Sequence, residues 1–339
     1  MNPSPTKPSV GSSVHLEPIL VSKVWGGLAL SHLGIPVPDR ANIGEAWLFT
    51  DLPTTSGSGA GGGSFHSRFR GASAGPTDLR QAARQWAGGL LGDGSHREHP
   101  LLVKLLDARE HLSVQVHPSP RYAAQTYGAL VKHESWVVLR AEPGAEIFAG
   151  VREGLTADDV VQLCIEGRAR EALVARPATV GECITLPSGI VHALGAGIVV
   201  AEVQMARDTT YRLYDWTREY ARSDRALHLE EARLAMDVAL RPSVSSEQAP
   251  LSRLDEYRVV VADTEAYRMI IGRTGPGESV AVPPGTIFVR LEGSGYVDAI
   301  PVTTSHAICA REGATREGGD GGMMWLEALP GDLVPRPPR

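Results

Sequence analysis

Residues 112–117, LSVQVH, alternate apolar and polar side chains with the period of two that marks a half-buried β-strand. On such a strand Ser113, Gln115 and His117 point to one side, opposite Leu112, Val114 and Val116. A polar file turned into a barrel interior must be satisfied by water, a ligand or a metal. The same file turned to solvent implies no site. Spacing leaves both readings open, and the rest of the chain decides between them.

The stretch before it, PLLVKLLDAREH, brings an apolar run up to the site strand. Upstream, LEPILVSKVWGG mixes strand-forming residues with a Gly-Gly turn after Trp25, and IGEAWLFTDLP (43–53) reads as a strand stopped by Pro53. The Gly/Ser-rich segment that follows, within 54–75, lacks the Lys-Ser/Thr ending of a phosphate-cradling loop and reads as a surface loop. Leu79, Ala82, Ala83, Trp86 and Leu90 recur at helical spacing after Thr77-Asp78. Residues 155–174 read as a helix opened by a Thr156/Asp159 capping box, and 228–240 as a further amphipathic helix. Strands are expected around HESWVVLRA, AEIFAGV, 182–187 and 196–204.

Beyond 251 the pattern changes to short strands punctuated by Gly and Pro, with LEGSGYVDA and LPGDLVPR as turn signatures. The expected organisation is a disordered Pro/Ser-rich tail (1–14), a β-barrel with helical insertions (15–241), a polar linker (242–250) and a smaller β-domain (251–339). His306 is the only histidine of that last part, which argues against a second metal centre there.

The 339 residues carry a formal charge of -6 with no Lys/Arg-rich run, which argues against nucleic acid as a partner. Cys164, Cys183 and Cys309 are widely spaced and form no paired-cysteine motif, as expected of buried thiols in a reducing compartment. The N-terminus has no apolar core of a secretory signal, and no apolar run approaches membrane-spanning length. A soluble cytoplasmic protein with no membrane partner is expected, as a monomer or weak homodimer.

Four segments offer metal-ligand residue types near strand ends: Gln115 and His117, Glu134 in KHESW, His192 in LPSGIVHALG, and Glu202 with Gln204 in AEVQ. Two His, one Glu and one Gln suit Zn2+, with Mn2+, Fe2+ or Co2+ as substitutes, and a thiolate-free set favours a catalytic over a structural site. Taken singly, each residue also has an ordinary reading as a surface imidazole, a solvated carboxylate or an edge-strand amide.

LVKLLDAREHLSVQVHP, KHESWVVL and GIVHALGAGIVVAEVQMARDTTYRLYDWTR together resemble type I mannose-6-phosphate isomerases of the short bacterial kind. PILVSKVWGG and NIGEAWLFTDLP look like that family's opening strands. The resemblance covers residues 16–241 by motif and the C-terminal part by architecture. It implies a mainly β, cupin (jelly-roll) fold, a single zinc, and interconversion of mannose 6-phosphate and fructose 6-phosphate. Carried over position by position, it implies Gln115, His117, Glu134 and His192 as zinc ligands and Arg212 of DTTYR as the functional arginine. It further implies substrate contacts from Lys104, Lys132 and Ser113, and Glu202 as the candidate for proton transfer.

Such a set suits aldose–ketose exchange, in which one base must reach both C1 and C2 of a cis-enediol(ate) and the developing oxyanion must be stabilised. His192 and a metal-bound water are rival bases, and Lys132 and Arg212 candidates for steadying phosphate or enediolate. The chain departs from the family at Pro118-Ser-Pro-Arg121, at His133 and Ser135 on either side of the retained Glu134, at the Gly/Ser-rich loop 54–75 and at Leu48, where a carboxylate is common. No proposed ligand is lost, but room is left for a related sugar, phosphorylated or not. Three rival readings are that related-sugar isomerase, a metal-free sugar-binding cupin, which predicts a broken ligand set, and an oxygenase cupin, which predicts a His-rich facial triad.

Overall fold

The computed structural model describes residues 13–55, 63–71, 75–85, 99–222, 225–245, 247–310 and 314–331. The described chain is mainly β, in antiparallel sheets of seven, five and eight strands with a two-stranded ribbon. The seven-stranded sheet runs, in spatial order, Ser243–Val244, Cys183–Leu186, Glu134–Ala141, Ile198–Met205, Leu101–Ala108, Ile43–Phe49 and Ile19–Gly27. Its central strands are near-continuous apolar runs because both faces are covered. One face, with Ala46, Leu105, Val137 and Ala201, packs on Tyr267, Met269, Ile271 and Leu326 of the C-terminal eight-stranded sheet. The other face carries Trp47, Lys104, Glu202 and Trp136, which strand register aligns in one row across four strands.

Opposite that row lies the five-stranded sheet, ordered Leu173–Pro177, Glu146–Val151, His192–Leu194, Val114–Val116 and Tyr211–Tyr214. Leu112, Ile147, Ala149 and Leu194 pack across the gap on Leu106, Val138, Ile184 and Val200. The far face of this sheet is closed by the helices Ala157–Ile165, Ala169–Ala172 and Leu229–Ala235, through Val160, Cys164, Ala172 and Ala232. Four layers result: helices, a five-stranded sheet, a seven-stranded sheet and the C-terminal sheet. Among the described residues no helix is long and apolar enough to cross a membrane.

Several expected boundaries shift. Ser13 and Val14, assigned to the tail, form a strand with His15 that pairs with Ala307–Ala310 of the C-terminal sheet. The polar linker 242–250 contains Ser243–Val244, which extends the seven-stranded sheet beside Cys183–Leu186, and Ala249 is buried in the shared core. Pro53 does not stop the chain: Ile43–Phe49 is followed by Asp51–Thr55, which pairs with Gly63–His66 inside the expected surface loop. The rest of that loop, 56–62 and 72–74, lies outside the described residues, as do Trp86 and Leu90 beyond the helix Leu79–Gln85. The Thr156/Asp159 capping box is present, but the helix breaks at Gly167, whose left-handed φ of 77° ends it and starts Ala169–Ala172. The last amphipathic helix is shorter than its pattern, Leu229–Ala235, because Met236 turns extended. LEGSGYVDA holds its turn at its end: the Gly-Ser-Gly stays within Thr286–Val297, and the left-handed Asp298 and Ala299 make the two-residue hairpin loop.

The docking of the first strand has a pH signature. His15 Nδ1 and His306 Nε2 are 2.9 Å apart, and Arg70 Nη1 is 3.0 Å from His306 Nδ1. Burial, then Arg70, pushes His15 down to about 4 against the opposing pull of Asp298; burial, then His15 and Arg70, pushes His306 down to about 3. The unfolded chain therefore takes up protons near pH 6.5 that the folded chain refuses until well below. Stability is full above that value and is lost as pH falls from 6.5 towards 4 for His15 and towards 3 for His306. Urea midpoints at pH 7.5 and pH 5 check this: the drop should be smaller in His306→Asn than in the wild type, and equal drops would remove the pair as its cause.

Candidate active site

A cleft opens between the five- and seven-stranded sheets, lined by Ser113, Gln115, Lys132, Glu134, Glu202 and Arg212 among others. Ser113, Gln115 and His117 thus turn inward and Val114 and Val116 feed the helix-covered core, whereas Leu112, expected on that far side, precedes the strand Val114–Val116 and packs between the sheets.

His117 follows the strand Val114–Val116, and His192 opens the strand His192–Leu194. Each imidazole is fixed by a backbone carbonyl, Nδ1 of His117 donating to Thr209 O at 2.9 Å and Nδ1 of His192 to Ile190 O at 3.0 Å. A carbonyl only accepts, so the proton sits on Nδ1 and each Nε2 presents a lone pair. Burial, then Lys132, lowers His117 to about 4 and holds it neutral. Both lone pairs are aimed at Glu134, with His117 Nε2 3.1 Å from Oε2 and His192 Nε2 3.1 Å from Oε1. These are acceptors facing an acceptor, and Glu134 Oε1 is buried without a hydrogen-bond partner.

Burial alone would raise the Glu134 carboxyl, but the Lys132 ammonium beside it holds it well below the usual carboxylate range. The ligand atoms of His117, Glu134 and His192 all lie within 4.8 Å of one another. Gln115 joins them through its amide, 3.1 Å from His192 Nε2, and a half-turn of that amide presents its oxygen instead. Two imidazole nitrogens, a carboxylate and an amide oxygen converging with an orphaned acceptor are what a divalent cation of the zinc type satisfies. Lys132 Nζ stands at the edge of this set, 3.1 Å from Glu134 Oε2 and 3.2 Å from His117 Nε2.

The cross-strand row forms the opposite wall. Lys104 Nζ is 3.2 Å from Glu202 Oε1, donates to Gln204 Oε1 at 2.9 Å and lies over the Trp47 ring. Trp136 Nε1 donates to Glu202 Oε2 at 2.9 Å. Burial works against the Lys104 ammonium, but Glu202, Glu45 and Glu134 outweigh it and hold the lysine charged. Glu45 repeats the pattern one strand away: it pairs with Lys23 at 3.2 Å and accepts from Trp47 Nε1 at 2.6 Å. Burial opposes its charge, yet Lys23 and Lys104 bring it down to about 2.

Arg212 enters from the strand Tyr211–Tyr214, directly opposite Gln115 in register. Its Nη1 donates to Ala226 O at 2.7 Å, while Nε is buried without a partner. Lys23, Lys104, Lys132 and Arg225 each pair with a carboxylate, whereas Arg212 makes no ion pair among the described residues. Burial, then Arg225, disfavours its charge, so an anion in the cleft relieves it. The DTTYR segment serves both halves of the site, since Thr209 O orients His117 while Asp208, Thr210 and Arg212 line the cleft. Ser113 is buried on the same rim, 3.5 Å from Gln115 Oε1.

Seven of the nine candidates from the sequence therefore line one cleft, and His117 and His192 stand behind it against Glu134. Lys23, Trp25, Glu45, Trp47, Asp208 and Arg225 line it too and were not singled out. The Glu-Ala-Trp alternation of 45–47, beside the Trp25 and Lys23 alternation, was the available signal: two polar or amphipathic residues on one face of an otherwise apolar strand.

No protein-family profile matches the chain. It is 35% identical to the mannose-6-phosphate isomerase of Streptococcus mutans over 219 residues, 64% of this chain and 65% of that protein, so the chain's match spans just under two thirds of that relative's length. It is 34% identical to mannose-6-phosphate isomerase ManA of Bacillus subtilis over 228 residues, 67% of this chain and 68% of that one. In fold it superposes on the crystal structure of the Bacillus subtilis mannose 6-phosphate isomerase with a TM-score of 0.74 at 24% identity, covering 94% of this chain and 99% of that one. The Salmonella typhimurium enzyme bound to fructose 6-phosphate and zinc superposes with a TM-score of 0.67 at 14% identity, covering 94% and 100%. With long motifs, a cupin-type barrel and a His/Glu/His cluster in one cleft, the chain belongs to the mannose-6-phosphate isomerase family.

Proposed function

We propose that this chain is a zinc-dependent aldose–ketose isomerase that interconverts mannose 6-phosphate and fructose 6-phosphate through a cis-enediol(ate). Gln115, His117, Glu134 and His192 hold the metal, and Lys104, Ser113, Lys132 and Arg212 meet the sugar phosphate. The observation that supports the reading best is the pair of carbonyl-locked imidazoles whose Nε2 lone pairs face the two Glu134 oxygens, His192 against the one buried without a hydrogen-bond partner. The Salmonella relative's bound zinc and fructose 6-phosphate support the choice of metal and substrate.

When bound, zinc acts as a Lewis acid towards the sugar oxygens. Glu202 takes the proton from one of C1 and C2 and returns it to the other. It is suited to this because Trp136 fixes one oxygen while the other, 3.2 Å from Lys104 Nζ, is buried without a hydrogen-bond partner on the cleft wall. His192 is a poor rival as base, since its Nδ1 is committed to Ile190 O and its Nε2 to the metal-ligand set. Lys132 and Arg212 steady negative charge on phosphate or enediolate, and Arg212 does so with a guanidinium that Asp215 favours from a distance but that makes no direct ion pair among the described residues.

Metal analysis beside a coupled assay on mannose 6-phosphate and on mannose tests the whole reading. One zinc per chain and a strong preference for the phosphorylated sugar are expected; equal turnover of mannose would shift the assignment to a related sugar. Arg212→Lys keeps the charge but loses the planar fork. It should lower kcat/KM for mannose 6-phosphate about 100-fold with metal content unchanged; unaltered kinetics would remove Arg212 from the mechanism.

A further inference from the structure

The ligands proposed above come from two opposed sheets: His117 and His192 from the five-stranded one, Glu134 from the seven-stranded one. Strand pairing fixes positions within a sheet, so it sets His192 against Gln115 but does not set either against Glu134. Something else must hold the two sheets in register where the ligands meet. Ser188 lies at that place, in the turn by which the chain crosses from Cys183–Leu186 in one sheet to His192–Leu194 in the other. Its side chain is buried.

Three ligand-bearing segments converge on this one residue. Its Oγ donates to Pro118 O at 2.6 Å, next to His117, and accepts from Lys132 N at 2.8 Å, two residues before Glu134. Its own backbone N donates to His133 Nδ1 at 3.2 Å, beside Glu134. Four residues on stands His192. The next residue, Gly189, has a left-handed φ of 101°, and a Cβ there would come 2.8 Å from Ser119 Cβ. The turn is thus pressed against the His117 segment, and only glycine allows that approach.

We propose that the Ser188 hydroxyl is a positioning residue of the metal centre. It ties the His117, Glu134 and His192 segments together, so that the donor set is assembled before the cation arrives. Groups of this kind, outside the ligand set, typically change metal affinity by about 10–100-fold. The inference rests on the zinc-site reading, and its test keeps the two apart.

The test measures Zn2+ affinity by chelator competition, with no activity in the readout, on the full chain as wild type, His192→Ala and Ser188→Ala. Tight binding in the wild type that is lost in His192→Ala supports the site itself. Ser188→Ala should then bind Zn2+ about 10–100-fold more weakly than wild type, and an affinity within twofold of wild type overturns the role of Ser188 alone. Absence of a tight site in the wild type overturns both readings. Because Ser188→Ala leaves two buried backbone groups unpaired and could unfold, Ser188→Thr and Ser188→Val ask the same question at equal shape. The threonine chain should bind at least about 10-fold more tightly, and equal affinities overturn the proposal.

Discussion

A His192→Ala chain should emerge from purification without its metal and without turnover. His192 is wholly buried, its ring packs edge-on to Trp136, and its Nε2 faces Glu134 and the Gln115 amide. Removing it deletes one donor and leaves Glu134 Oε1 with nothing opposite. The loss in affinity should exceed the roughly 10–100-fold that an outer partner costs, and activity should fall with metal content. Elemental analysis with the coupled assay decides it. A variant that keeps stoichiometric zinc, or that turns over without it, would remove His192 from the ligand set.

Glu202→Gln separates chemistry from binding. The amide keeps the shape of the carboxylate and can still meet Trp136, and Lys104 retains Gln204 Oε1 at 2.9 Å and Glu45 nearby. The fold and the zinc content should therefore survive. What disappears is the capacity to carry a proton, and a general base typically supplies about 10²–10⁴-fold in rate. Turnover should drop by that range at unchanged metal content, and exchange of the C2 proton with solvent should drop with it. Wild-type turnover would pass the proton transfer to another group.

The site strand could be read from the sequence because its signal is local: alternation over six residues places Gln115 and His117 together whatever the rest of the chain does. Which way the polar file faced was not local, since it depends on a second sheet arriving opposite. The family motifs supplied that for His192, Glu202 and Arg212. Lys23, Glu45 and Trp47 escaped because their roles come from cross-strand register, where Trp47 sits beside Lys104 and Lys104 beside Glu202, across stretches tens of residues apart. The misplaced boundaries have the same cause. Ser13–His15 looked like tail because its partner strand, Ala307–Ala310, lies at the other end of the chain. Ser243–Val244 looked like linker because two residues carry no periodicity, yet they find an open sheet edge beside Cys183–Leu186.

The Tyr267 phenol reaches through the shared core to Ser135 Oγ at 2.9 Å, on the residue after Glu134, and that serine also meets Thr185 at 2.8 Å. The floor of the reaction chamber is therefore only one β-layer thick, and the C-terminal sheet is its foundation. Shorn of residues beyond 250, the remaining barrel would offer water a broad greasy plane of Leu105, Ala201 and Val203 and should clump rather than catalyse. The rear sheet is thus as much a part of the reaction chamber as the walls that carry its side chains.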